Sequence, residues 1–209
     1  MARGRRAEPA ATVGVVEHAN AAVLVTLAPN YELLDRRRIE LTEPSLPTHP
    51  HHHEGSWAVG RYLNTPGARQ LSLADAVALV ERVRAAAAIG ASEGFANLAS
   101  AVRMPIGRVA IRACQELPPT VEARIVDHRA QTVADSVMYR EALAIAAEAR
   151  GWAVHWYDRE RVVSDAAALL GGENIDVFLG GLGRKAGPPW QAKHKLAAAA
   201  ALAATAGAL

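Results

Sequence analysis

The chain has 209 residues, 51% of them apolar and 21% charged, a balance that fits a globular fold and excludes a disordered or fibrous one. Its formal net charge of +2 is too small to announce a nucleic-acid binder by itself, although the basic residues cluster at Arg3–Arg6, at Arg36–Arg38, and at Arg184, Lys185, Lys193 and Lys195. Cys114 is the single cysteine, so no intrachain disulfide can form, which fits a reducing cytoplasm.

Residues 1–12 read as a basic, disordered tail with no apolar stretch of the kind an export signal needs. The run Val13–Leu27 is broken by Glu17, His18 and Asn20. The Ala-rich end at Leu196–Leu209 is shorter than the ~20 apolar residues of a membrane span. No membrane association and a cytoplasmic location are therefore expected. Residues 13–209 are expected to form one domain.

Three β-rich runs come first, TVGVVEH, AAVLVTL and ELLDRRRIEL, separated by turns at His18–Asn20 and Pro29–Asn30. Residues 42–72 carry four prolines and three glycines and read as a long loop. Ser72 is placed to cap a helix with Asp75 in its first turn. A looser segment from Gly90 to Pro105 follows.

Arg108–Cys114 is a buried-strand pattern ended by Pro118–Pro119. Thr120 opens one helical stretch, and Thr132-x-x-Asp135 looks like a capping box for another that stops at Gly151. Trp152–Tyr157 is a fifth strand, and Asp158 is placed to cap a helix ending at Gly171–Gly172. A last helix is expected from Pro188–Pro189 to about Thr205. The order β-β-β-α-β-α-β-α, with right-handed crossovers, predicts a mixed five-stranded sheet in the spatial order 3-2-1-4-5.

That order, together with GVVEHANAAVLVTL, ELLDRRRIEL, VAIRAC followed by QELPPT, ADSVMYREALAIAAEARGWAVHWYD and QAKHKLAAAAALA, resembles the ribonuclease H-like superfamily. Within it, the chain is similar to Holliday-junction resolvases of the RuvC type. The resemblance implies an α/β fold and phosphodiester hydrolysis with two Mg²⁺ or Mn²⁺ ions held by carboxylates, since hard cations need clustered oxygen ligands. It carries onto Glu17 in strand one, Glu116 after strand four, and Gln191 and His194 on the last helix. The set is thin: neither helix position is an acid, and Lys193 and Lys195 flank His194.

Two functions follow from this resemblance. One is a metal-dependent nuclease acting on DNA or RNA. The other is a catalytically inactive module of the same fold that binds nucleic acid or a protein partner. Arg184, Lys185, Lys193 and Lys195, with Arg112 nearby, are the expected nucleic-acid contacts. A homodimer is left open.

Each candidate also has a plainer reading. Glu17 lies in a central strand, where a buried carboxylate needs a partner, or else it is a turn residue beside His18. Glu116 is either a ligand or a solvated acid. His194 is either a ligand or a ring packed on Trp190. The run His49-Pro50-His51-His52-His53 supplies nitrogen donors suited to Zn²⁺, or is an exposed loop that takes up metal adventitiously. Folded back to the sheet, His51, His52 and His53 would supplement Glu17 and His194. Cys114 is expected to be a small buried residue. No P-loop or nucleophile elbow is present.

Overall fold

A computed structural model of the chain describes residues 9–51 and 71–205. Five strands, β1 (Ala11–His18), β2 (Ala21–Leu27), β3 (Leu33–Glu40), β4 (Ile106–Arg112) and β5 (Ala153–Tyr157), form one sheet in the order β3-β2-β1-β4-β5. β2 is antiparallel to both its neighbours, whereas β1, β4 and β5 run parallel. This is the mixed five-stranded sheet in the order 3-2-1-4-5 expected from the sequence.

Side chains alternate across β1, so its two faces feed two separate cores. Val13 and Val15 pack toward helices α1 (Leu73–Ala101) and α3 (His128–Glu148). Val16 packs on the other face with α5 (Ile175–Ala186) and α6 (Ala192–Thr205). Gly14 faces α6 so closely that a Cβ there would collide with the Ala197 carbonyl. The short helices α2 (Val121–Val126) and α4 (Val162–Ala168) complete the order. Among the described residues no helix is long and apolar enough to cross a membrane.

Ser72 caps α1 as expected, its Oγ accepting from the Asp75 amide at 3.1 Å. The helix then runs through the segment read as loose. Gly90 and Gly94, which suggest looseness in sequence, instead let the helix lie directly on Leu41 and Ile39 at the end of β3. The capping box at Thr132 is corrected. Asp127 already caps α3 by accepting from Arg129 N at 2.7 Å and Ala130 N at 3.0 Å, so Thr132 lies inside the helix and Asp135 is buried.

The other boundaries shift for local reasons. β1 begins at Ala11, so Ala11 and Thr12 are buried strand rather than tail. β4 ends at Arg112, which leaves Cys114 outside the strand and exposed, contrary to the buried position expected. Asp158 closes a turn onto Glu160 N, and α4 starts only at Val162. The last helix starts at Ala192, beyond the two prolines. α5 was hidden by its glycines at 180, 181 and 183, yet Asn174 caps it by accepting from Asp176 N and Val177 N.

Candidate functional site

The parallel strands β1, β4 and β5 end together at one edge of the sheet. Between β1 and β4 the chain order reverses direction, and ligands of open α/β sheets bind at such a point, beyond the strand C-termini. Glu17 stands there, at the end of β1. By alternation with Val13 and Val15 its carboxylate faces α3.

The partner that a buried acid requires is Arg140 of α3. Nε and Nη2 of Arg140 both reach Glu17 Oε1, at 2.7 and 2.6 Å, with the side chains only 5% and 9% exposed. The remaining arm, Nη1, donates to the Ala113 carbonyl just past β4 at 3.1 Å. One guanidinium thus ties the ends of β1 and β4 to the helix. Tyr157 of β5 joins the same edge, its hydroxyl donating to the Val15 carbonyl at 3.0 Å. Burial, with the charge of Glu17 adding to it, pushes the Tyr157 phenol well above its ordinary range. The Cys114 thiol is likewise pushed up, by burial first and with Arg140 acting against it.

A second buried pair sits on the same helix, one turn and a quarter before Arg140. His51 returns from the end of β3 so that its backbone amide and Nδ1 both meet Asp135 Oδ1, at 3.1 and 2.7 Å. Among the described residues its Nε2 is buried without a hydrogen-bond partner. A carboxylate-oriented imidazole is a common metal-ligand support, but this is one donor and not a site. Near it the Tyr139 hydroxyl donates to the Thr48 carbonyl, and burial followed by the Asp135 charge raises its pKa. His52 and His53, and the Zn²⁺ expectation placed on them, lie outside the described residues.

The remaining expected ligands are not brought to Glu17. Glu116 is exposed on the segment after β4. His194 belongs to α6, on the opposite face of the sheet, stacked on Trp190 with ring centroids 5.6 Å apart. Its Nδ1 accepts from Gln191 N at 3.0 Å, and partial burial, then Arg36, lowers its pKa. Among the described residues no three His, Cys, Asp or Glu side chains group as metal ligands. A Mg²⁺ or Mn²⁺ ion would need oxygen donors that converge, and the one central carboxylate is already held by an arginine. These residues do not fit the ion pair of the family.

The basic residues divide by position. Arg36 is spent on the Gly187 and Pro189 carbonyls, and Arg37 and Arg38 pair with Asp35 and Glu40. Arg184 and Lys185 line a cavity against the β2–β3 turn. That turn lies at the far end of the sheet from Glu17, since Leu27 pairs with Thr12. Beside the Glu17 mouth, a cavity of about 520 Å³ is lined by Arg112, Cys114, Tyr157 and Arg159, with Asp158 and Glu160 at its rim. Arg112 and Arg159 have no acidic partner among the described residues, and both charges reach Tyr157.

No family model matches the chain, and no curated protein does. Several solved structures are similar to it, two of which follow. One is Thermus thermophilus RuvC in complex with a Holliday junction substrate, at 14% identity over 95% of this chain and 94% of that one, with a TM-score of 0.48. The other is Thermus thermophilus RuvC, at 13% identity over 94% and 95%, also with a TM-score of 0.48.

Arg140 and Asp135 escaped the sequence reading. The signal was present, because Gln131, Asp135 and Met138 share the spacing of the buried stripe of α3. A capping motif and a core stripe read alike until the start of the helix is known.

Proposed function

We propose that the chain is a catalytically inactive ribonuclease H-like module that binds nucleic acid at the end of the sheet where β1, β4 and β5 terminate. One observation carries this reading. The acid at the switch point is engaged by Arg140, so the positive charge that a cation would supply there is built into the protein. A guanidinium offers fixed donors but no coordination sphere and no activated water.

Nucleic acid is favoured as the partner by the charges around that pair. Arg140 cancels the charge of Glu17, and Arg112 and Arg159 stand beside that pair with no ion pair among the described residues, although Asp158 and Glu160 line the same cavity. Lys193 and Lys195 belong to the first turn of α6, on the other face of the sheet. Arg184 and Lys185 belong elsewhere. Trp156 is 44% exposed on the edge strand β5, where its indole is available for base stacking.

A salt titration of binding tests this, with labelled duplex DNA, single-stranded DNA and an RNA hairpin. Each phosphate contact contributes a log–log slope of about −0.9 on duplex DNA, or about −0.7 on single strands. The double variant Arg112→Ala/Arg159→Ala is expected to weaken binding on every sequence and to lower the slope by about two. Absence of binding to all three polymers at about 50 mM salt, where electrostatic contacts are strong, would contradict the proposal.

A further inference from the structure

A cavity of about 730 Å³ lies at the other end of the sheet, between the β2–β3 turn and α5. We infer that this cavity is a binding site for a nucleoside phosphate, distinct from the mouth at Glu17. Its volume is in the range of small-molecule sites, which run from roughly 300 to 1,000 Å³.

Three features of the lining define the ligand. One wall is aromatic and apolar: Tyr31 and Phe178 meet edge to face at 6.5 Å, and Val177 beside them is 60% exposed. Tyr31 is held there at a cost, with φ at +66° in a tight turn where Ala28 accepts from the Tyr31 amide at 2.8 Å. An aromatic residue in the left-handed region is uncommon, and such backbone strain concentrates at ligand sites.

The second feature is cationic. Arg184 and Lys185, in the last turn of α5, have no acidic partner among the described residues. The Arg184 guanidinium lies over Gly180 and Gly181, within 3.6 and 3.7 Å of where their Cβ atoms would stand. The third is acidic: Glu32 and Glu173 line the same cavity. Two acids facing two bases disfavour a plain polyanion. They suit a ligand with an anionic group at one end and N–H or O–H donors at the other, as a phosphate joined to a sugar and a base provides. A flat heterocycle against Tyr31 and Phe178 completes the match.

The shared chemistry belongs equally to a free nucleotide and to the terminal nucleotide of a single strand, and the experiment separates them. Isothermal titration of the whole chain would use AMP, GMP, CMP and UMP in one arm and 5′-phosphorylated trinucleotides in the other, with inorganic phosphate as control. At least one mononucleotide is expected to bind at least ten times more tightly than phosphate; tighter binding of the trinucleotides would identify a strand end as the occupant. Arg184→Ala and Tyr31→Gly should each weaken binding about tenfold or more. Glycine adopts the left-handed backbone there freely, and an unchanged circular dichroism spectrum of the variant would separate loss of binding from loss of the fold. Arg112→Ala/Arg159→Ala should leave this affinity unchanged, which separates it from polymer binding at the mouth. Binding no tighter than phosphate for every ligand, or full affinity in both single variants, would overturn the inference.

Discussion

Arg140 and Glu17 are each tolerable in the interior only because of the other. Removing one partner leaves an uncompensated buried charge, and such losses run to about 3–5 kcal/mol. Arg140→Ala is therefore expected to lower stability by about that amount in urea unfolding, whereas Glu17→Gln/Arg140→Met should cost much less because neither charge remains. Equal losses in the two variants would show that the charges do not depend on each other.

His155 gives a second test at the same scale. Burial, then the charge of Arg108, lowers its pKa in the folded chain. The unfolded chain therefore takes up the proton first as pH falls. The stability at stake is complete above the ordinary histidine value and is lost as pH drops from that value toward the lower folded one. His194 is shifted in the same direction and adds to the fall. The urea midpoint should drop as pH falls through the ordinary histidine value of about 6.5, and His155→Gln should reduce that drop.

Residues of this kind were only partly legible in the sequence. That Glu17 needs a partner followed from its place in a central strand. Which residue answers it did not, because Arg140 lies 123 positions away and reaches Glu17 only once α3 has docked.

At the scale of elements, close approach of backbones organises the molecule. α6 lies on β1 at Gly14, and α1 lies on the end of β3 at Gly90 and Gly94. Gly14→Ala places a methyl group against the Ala197 carbonyl, where helix and strand must part. Overpacking of this sort costs about 1–3 kcal/mol or more, so the urea midpoint should fall markedly, while Gly180→Ala, which meets only the flexible end of Arg184, should change it little. A comparable fall in both variants would mean that the close approach at Gly14 is not the cause.

The strand order was legible because alternation and turn chemistry marked five strands, and right-handed crossovers left few ways to arrange them. The helices were less so. α5 carries three glycines within four residues and reads as a loop until Phe178, Leu179 and Leu182 are seen against the β3 side of the sheet. The end of α1 was obscured in the same way, since a glycine that permits packing looks identical in sequence to one that breaks a helix.

For the whole molecule, the mixed sheet in the order 3-2-1-4-5 carries an acid at its switch point and an arginine on that acid. His194, the other residue expected there, caps its own helix on the opposite face. Positive charge remains at the mouth, in Arg112 and Arg159, which is what a phosphate backbone needs and what hydrolysis alone does not supply. The most direct measurement is cleavage of end-labelled duplex, single-stranded, four-way-junction and RNA-hairpin substrates with Mg²⁺ or Mn²⁺, comparing the wild-type chain with Glu17→Gln. The account predicts no cleavage that depends on Glu17, with binding retained. Cleavage by the wild-type chain that Glu17→Gln abolishes would contradict it.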